Sequence, residues 1–511
     1  MEARKAGPAF RPSDTVPAQR SGVLPFASEV PVAMIADDFT FNSFREEFQT
    51  SRLTPSNWKR VFEEQEPQVF FCESAWQGGP PATHEWQGKI YASVRWPQEN
   101  RSVLLEILAH CRARGIPTVF WNKEDPTHFS DRINDFVRTA CLFDYVFTTA
   151  EECIEDYVKN AGARHADVLP FAVQPQLFNP RGSAHAEDTV NFAGTWYAKY
   201  RERSRHAEQI LDLVLESGRE LVIYDRMSSS SNPAYAYPER FQAYVRPAIT
   251  HEETAHTFRA SRFGITLNTV TDSSTMFARR VFELAACGSV VLSNSALGVQ
   301  KFFGDSVIYA DTQPERFLDL TSTEFDDLQI RSMKVALDNT YGRRAEKILS
   351  VLGIPYQSRF GSVAGMSFVR DHGEYERMVE SGRENAQLRE LIAVTRQDAE
   401  QGLLMSLMRR RDRDVTVINE QDLRHGTLRV RNYLSSRGVI TANDDLSWGT
   451  AGDVSWLTAH AQYEPGIIRK VPGGVQRFRY GSTADLSAAY IPAESMGAAF
   501  SAPRHVSVYY V

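Results

Sequence analysis

Cysteine is scarce in this sequence: Cys72, Cys111, Cys141, Cys153 and Cys287 are five among 511 residues, an odd number with no C-x-x-C pair. That excludes a disulfide scaffold and a zinc framework of paired cysteines, and it fits reduced thiols in a cytoplasmic protein. No run of 18 apolar residues occurs, so no membrane-spanning helix is predicted, and the first 28 residues have no apolar core of signal-peptide length. A basic excess is missing too. Lys plus Arg number 57 against 64 Asp plus Glu, a net charge of -7, so no global field recommends nucleic acid as a partner and any anion site must be local. Neither G-x-G-x-x-G nor G-x-x-x-x-G-K-[ST] is present, which removes the dinucleotide fingerprint and the P-loop as explanations of phosphate chemistry. No internal repeat is visible, which excludes a solenoid.

What is present is an ordinary globular composition, 42% hydrophobic and 24% charged, over a length that predicts roughly three domains. Residues 1–29, mixing Pro, Arg, Ser and Ala, read as a disordered lead-in. From Val30 short apolar runs alternate with longer amphipathic segments: PVAMIAD, QVFFCES, TVFWN and FDYVFTTA are separated by helix-like stretches such as RSVLLEILAHCRARG. Strands alternating with helices mean βα units and a parallel sheet covered on both faces. Residues 30–175 are therefore predicted as one Rossmann-like domain. Residues 176–353, with NFAG, ELVIYD, FGITLN and SVVLSN as strands, form a second that ends on the helix GRRAEKILSVLG. The expected fold class is α/β, two Rossmann-like domains facing a cleft, with residues 361–511 as a further α/β module whose tail reads as edge strands and loops.

Three segments carry candidate chemistry. In Asn268–Asn294, Asp272, Ser273 and Ser274 read as N-caps of a helix starting near Thr275, whose free N–H groups would receive an anion. On that helix Arg279 and Glu283 lie four apart, with Arg280 close by, which also suits a plain surface ion pair. In AGTWYAKYRERSR, Gly194 ends a strand and Lys199, Arg201, Arg203 and Arg205 face the single acid Glu202, a clamp for a diphosphate or simply a charged helix start. In FWNKEDPTHF, Asn122, Lys123, Glu124, Asp125 and His128 gather after a strand, the side-chain types that acid/base work and hydroxyl recognition need, in what is otherwise a polar loop. Glu73 and Trp76 of ESAWQG follow a neighbouring strand and are expected on the same wall.

Together ADDF, ESAWQG, FWNKEDPTHF, LPFAVQPQLFNP, FAGTWY, IYDR and DSSTMFARRVFELAACGSVVLS resemble the CgeB-like spore-maturation proteins. These are bacterial predicted glycosyltransferases of the GT-B fold, related to retaining glycosyltransferase family 4. The resemblance spans residues 31 to about 350. It implies a nucleotide-diphosphate sugar held by the second domain as donor, Glu283 on its ribose, and Arg279 or Arg280 beside its diphosphate. Gly194, Lys199, Arg201, Ser273, Ser274 and Thr275 would complete the donor side. Thr275 stands where family 4 enzymes usually carry another Glu. Asp125, Glu124 and His128 would face the acceptor, a hydroxyl of a surface glycan in polysaccharide biosynthesis, with Glu73, Trp76 and Asn122 lining that side. No metal is required at such a site. SVAGMSFVRDHGEYERM, ELIAVT, GTLRVRNYLSSRGVITANDD and WLTAHA are similar to part of a family 2, GT-A glycosyltransferase. That likeness implies Asp444 and Asp445 as Mg²⁺ or Mn²⁺ ligands, although the pair also reads as a turn, and a degenerate docking or acceptor-binding module is the expectation. A cytoplasmic enzyme without a nucleic-acid partner, with peripheral membrane association left open, is the leading reading. A non-catalytic GT-B scaffold in envelope or spore assembly and a nucleotide-sugar epimerase are the alternatives.

Overall fold

The computed structural model describes residues 24–80, 83–183, 186–360, 363–410, 412–424, 436–471, 477–501 and 505–511. Most of the expected disordered lead-in, residues 1–23, lies outside the described residues. Its last part is ordered: Phe26 bridges Gln357, and Ala27 is buried at the start of the turn Ala27–Glu29 because the first core has an apolar place for it.

The first sheet contains β1 (Pro31–Ile35), β2 (Gln49–Arg52), β3 (Val69–Glu73), β4 (Thr118–Asn122), β5 (Tyr145–Thr148) and β6 (Ala166–Val168), all parallel in the order β2-β1-β3-β4-β5-β6. Side chains alternate between its faces, Ala33, Ile35, Phe70 and Cys72 on one, Val32, Met34, Val69 and Phe71 on the other. The helix Tyr341–Leu352, expected as the close of the second domain, packs on this first sheet instead. Its buried stripe of Tyr341, Ala345, Ile348, Leu349 and Leu352 joins the core of Val32, Met34, Phe71 and Trp121, so the chain crosses back.

The second sheet holds β7 (Glu187–Ala193), β8 (Glu220–Tyr224), β9 (Val245–Arg246), β10 (Ser261–Thr266), β11 (Val290–Ser293) and β12 (Ile308–Tyr309), again parallel, in the order β12-β11-β10-β7-β8-β9. Both orders are doubly wound ones. They reverse direction between β1 and β3 in the first sheet and between β7 and β10 in the second, and such switch points open a crevice at the carboxyl ends of the strands.

The third sheet contains β13 (Val363–Val369), β14 (Leu388–Thr395), β15 (Val415–Asn419), β16 (Gly438–Thr441), β17 (Ile467–Arg469), β18 (Arg479–Thr483), β19 (Ala489–Pro492) and β20 (Val506–Tyr510). Its order is β15-β14-β13-β16-β19-β17-β20-β18. The tail is thus more than edge strands and loops: β19 and β17 lie inside the sheet, where Ile468, Tyr490 and Ile491 are buried. This unit docks on the second through the helix Ser322–Asp338, whose Met333 and Leu337 belong to the third core. No described helix is long and apolar enough to cross a membrane. All five cysteines are free.

Candidate functional site

At the switch point of the first sheet, three adjacent strands deliver charge to one place. Asp37 follows β1, Glu73 ends β3 and Lys123 follows β4. The Lys123 Nζ lies 3.0 Å from Asp37 and 3.5 Å from Glu73, and all three side chains are largely or wholly buried. Asp37 accepts from the backbone N–H groups of Trp76, Gln77 and Gly78 at 3.2, 3.0 and 2.7 Å, while Thr40 donates to Glu73 at 2.5 Å. Burial pushes Glu73 up to about 7, with Asp37 adding to the rise and Lys123 opposing it. Burial works against Asp37 as well, but Lys123 and the N–H donors outweigh it and hold that carboxyl below the usual range. The Lys123 ammonium also sits 4.2 Å from the centre of the Phe39 ring, and Arg279 of the second unit lies 3.9 Å from the same ring. Phe39 therefore marks where the two units meet.

The loop after β4 does not present its acids as the sequence suggested. Asp125 is completely buried and accepts from Asn122 at 2.8 Å, Thr148 at 2.7 Å and Tyr157 at 3.0 Å. Burial raises it to about 7 despite those donors. It is a strut that fixes the loop, and Asn122, equally buried between Asp125 and Tyr157, shares that work. Glu124 is half-buried, its N–H on the Asn122 Oδ1 at 3.3 Å. His128 is the member that reaches the open side. Its Nδ1 pairs with Asp131 at 3.0 Å, a partner that sequence reasoning missed, and the edge of its ring meets Trp76 with centroids 5.3 Å apart. Burial would raise Asp131, but Asn134, His128 and the Ile133 N–H hold its carboxylate well below the usual range.

The second unit supplies cations. The helix of the donor-side motif starts at Arg280, not near Thr275: it runs Arg280–Ala286 with Arg279 as its N-cap. The Ser273 hydroxyl instead accepts from the N–H groups of Thr275 and Met276 at 3.4 and 3.0 Å, a local turn that competes with helix formation. Ser274 and Thr275 face the first unit. Thr275 donates to the Thr149 carbonyl at 2.8 Å and accepts the Glu151 N–H at 2.9 Å, and Ser274 donates to the Glu151 carboxylate, which Lys301 also binds at 3.0 Å. These residues fasten the seam between the units.

Arg279 Nε lies 3.3 Å from Glu283, and His251 Nε2 lies 3.5 Å from the same oxygen. Burial alone would raise Glu283; Arg279, His251 and Arg280 outweigh it and hold it at about 2. Arg280 is half-buried with its Nε enclosed and unpartnered. Burial and the neighbouring Arg279, Arg203 and Arg226 pull it down to about 10, with Glu283 opposing them. The segment is tied to the second switch point, since Ala278 N–H donates to Asn268 past β10 at 2.8 Å and Arg203 donates to the Thr195 carbonyl past β7 at 3.1 Å.

Of the AGTWYAKYRERSR cations, Arg203 alone turns toward this cluster. Lys199 and Arg201 are exposed; Lys199 rests on the Tyr200 ring at 4.6 Å, and Arg201 lines an outer groove of about 440 Å³ with Arg205, which is paired with Glu202. The helix Arg201–Glu216 begins here, and successive side chains on a helix point in different directions, so one run of cations cannot close on one anion. Gly194 is required for packing: a Cβ there would lie 2.3 Å from the Phe192 ring. Arg226, one residue past the buried Asp225, is an exposed cation acting on Arg280 that composition did not single out; its signal was the IYDR motif at the end of β8.

Asp444 and Asp445 stand exposed in a turn, where Asp445 accepts the Ser447 N–H at 3.0 Å. Among the described residues no group of three or more His, Cys, Asp or Glu side chains converges, so no further acidic or imidazole side chain joins the pair.

No curated protein matches the chain. Among solved structures it is similar to an alpha-glucosyltransferase in complex with UDP and a 13-mer DNA, at 10% identity and TM-score 0.40 over 65% of this chain and 100% of that one. WaaG, a glycosyltransferase involved in lipopolysaccharide biosynthesis, matches at 10% identity and TM-score 0.40 over 63% and 99%. The catalytic domain of starch synthase IV from Arabidopsis thaliana, bound to ADP and acarbose, matches at 10% identity and TM-score 0.37 over 58% and 75%. Scores at this level carry no inference about substrate. Residues 203–350, from the cation-bearing helix of the second unit to the helix that crosses back to the first, match the family model of glycosyl transferase-like domains, here set on an α/β scaffold of two parallel Rossmann-like sheets.

Proposed function

We propose that this protein is a glycosyltransferase that takes a sugar from a nucleotide-diphosphate donor held by the second unit and passes it to a hydroxyl of a glycan presented by the first. The observation that carries the reading is the helix start where Arg279 pairs with Glu283 at 3.3 Å while buried donors of Arg279 and Arg280 have no partner, with Arg203 and Arg226 near enough to act on Arg280. Guanidinium forks match phosphate oxygens, and cations fixed in a partly dry site stabilise the charge that develops on a departing diphosphate. That chemistry needs no divalent metal. Glu283, kept ionised between Arg279 and His251, is suited to accept hydrogen bonds from the ribose hydroxyls.

On the first unit, His128 is suited to hold the attacking hydroxyl, whose proton passes to the departing diphosphate when the sugar is transferred with retention. Asp131 binds its Nδ1, which leaves Nε2 as the basic nitrogen at the open rim. Lys123, buried with its two carboxylates, fixes the wall behind it. A GT-B enzyme of the CgeB-like kind, retaining at the anomeric carbon and acting in polysaccharide biosynthesis in the cytoplasm, is the finer form of this proposal and rests on the motif resemblance. The third unit is assigned acceptor docking.

The test is calorimetry with UDP, ADP, GDP and inorganic pyrophosphate, together with sugar transfer in EDTA. One nucleoside diphosphate is expected to bind the wild type, and Glu283→Ala and Arg280→Ala are expected to bind it more weakly. Failure of every nucleotide to bind overturns the donor assignment, and unchanged affinity in both variants moves the diphosphate away from this helix.

A further inference from the structure

Among the described residues between β3 and the helix Ser102–Arg114, 74–80 and 83–101, there is no helix or strand, and connections of that length in a compact domain are usually functional. This one is built firmly. Trp86 and Ile90 are fully buried beneath it, and Trp86 Nε1 donates to the Leu53 carbonyl at 2.8 Å. Its outer part is stapled to the segment that carries Asp131: Ala92 and Asp135 exchange backbone hydrogen bonds at 3.3 and 2.8 Å, and Val94 N–H donates to Arg132 at 3.0 Å.

On this frame stands a run of aromatic rings. Trp76, whose edge meets His128, lies 5.9 Å from Tyr91 between centroids, and Tyr91 stacks on Trp96 at 5.3 Å with 27° between planes. Gly88, at φ 71°, passes beneath the Trp96 ring, which a Cβ at that position would touch at 3.6 Å. The run begins at His128 and ends in water, where Trp96 is 37% exposed beside Val94 at 71% and Ile133 at 37%.

We propose that Trp76, Tyr91 and Trp96 are the acceptor track, on which an extended glycan lies ring against ring with its reacting end toward His128. This rests on the reading that the first unit presents the acceptor, and it names the acceptor as an oligomer of several sugars. A pyranose is amphipathic, with an apolar C–H face for an aromatic ring and a rim of hydroxyls for water, and rigid aromatic side chains offer such contact at low conformational cost. Charge at the outer end argues for a neutral, hydroxyl-rich ligand over an anionic lipid surface. Glu99 is paired with Arg101 at 2.7 Å, Arg132 with Asp135 at 3.1 Å and Asp131 with His128 at 3.0 Å, so the charge around the run is answered within the protein, whereas an anionic bilayer attracts a basic field.

The experiment is affinity electrophoresis of the full chain through gels holding soluble glucan, mannan, galactan, xylan or hyaluronan, beside calorimetry with UDP, ADP and GDP on the same proteins. At least one polysaccharide is expected to retard the wild type. Trp96→Ala and Tyr91→Ala should weaken that binding about tenfold, the effect of losing one anchoring ring, and Trp96→Phe should restore most of it. Affinity for the nucleoside diphosphate that binds the wild type should not change in any of the three. The proposal is overturned if no polysaccharide retards the wild type, if the alanine variants are retarded equally, or if the wild type instead binds phosphatidylglycerol vesicles and loses them with Trp96→Ala. Wild type that binds polysaccharide through Trp96 but no nucleotide would leave the track standing and remove the transferase reading instead.

Discussion

The two faces of the cleft handle charge in opposite ways. On the first unit Lys123, Asp37 and Glu73 are buried and satisfy one another, with backbone N–H groups and Thr40 completing the shell. On the second, Arg279, His251 and Arg280 share the one carboxylate of Glu283, Arg203 and Arg226 add repulsion on Arg280, and buried donors on Arg279 and Arg280 go unpartnered. A closed cluster contributes to architecture and loses stability when one member is removed. An open cluster is strained as it stands, and it gains when an anion arrives. The difference separates a wall from a binding site better than the residue types do, since each face is rich in charge.

The contrast is broken or sharpened most strongly by Lys123→Met. It leaves two carboxylates buried without their cation, and the expected loss is about 3–5 kcal/mol in urea unfolding. A variant as stable as wild type would show that the first face is not closed. Arg280→Ala should do the reverse: a melting temperature equal to or above wild type, with nucleoside diphosphate affinity lower by about 1.5–3 kcal/mol in calorimetry. A large drop in stability with unchanged affinity would make Arg280 a second strut.

Asp125→Asn comes next. An amide cannot accept from Asn122, Thr148 and Tyr157 together, so a loss of about 1–3 kcal/mol is expected in unfolding experiments, with nucleotide affinity intact. The pH dependence of stability sharpens the same point. Glu73 and Asp125 are each raised to about 7, above their ordinary 4.5 and 3.8. Their contribution is therefore fully present below those ordinary values and is lost as pH rises through about 7. Melting temperature should fall between about pH 5 and about pH 8, and Glu73→Gln with Asp125→Asn should flatten the slope. The smallest effect is assigned to Thr275→Val, which removes two hydrogen bonds across the seam. It should cost about 0.5–1.5 kcal/mol in thermal unfolding and leave donor affinity unchanged, and a large loss of affinity would return Thr275 to the donor side.

Much of the scaffold was legible in the sequence. Strands such as PVAMI, VFFCE, TVFWN, ELVIY and VVLS announce themselves as short apolar runs because parallel strands are buried on both faces. The short strands Gln49–Arg52, Val245–Arg246 and Ile308–Tyr309 escaped, being polar or only a few residues long. At the site, the pairing of Arg279 with Glu283 followed from helical spacing and is found. The start of that helix did not follow, because a Ser273 turn and the partners of Thr275 on the first unit draw the preceding residues into another conformation.

Residue type and local periodicity are properties of the chain, so the sequence by itself determined the alternation of strands and helices, the scarcity of thiols, the absence of a global basic field and the segments in which polar side chains would crowd. Burial and pairing are not local. Asp125 and His128 belong to one loop, and only the packing of Thr148 and Tyr157 around the first turned it into a strut while Asp131 held the second at the rim. Arg203 and Arg280 are 77 positions apart in the sequence, and it took the reversal of strand order at β7 and β10 to bring one within electrostatic reach of the other. Tertiary structure decided which charges answer one another and which wait for a ligand, because a side chain's electrostatic partners are set by distance through the fold and not by separation along the chain.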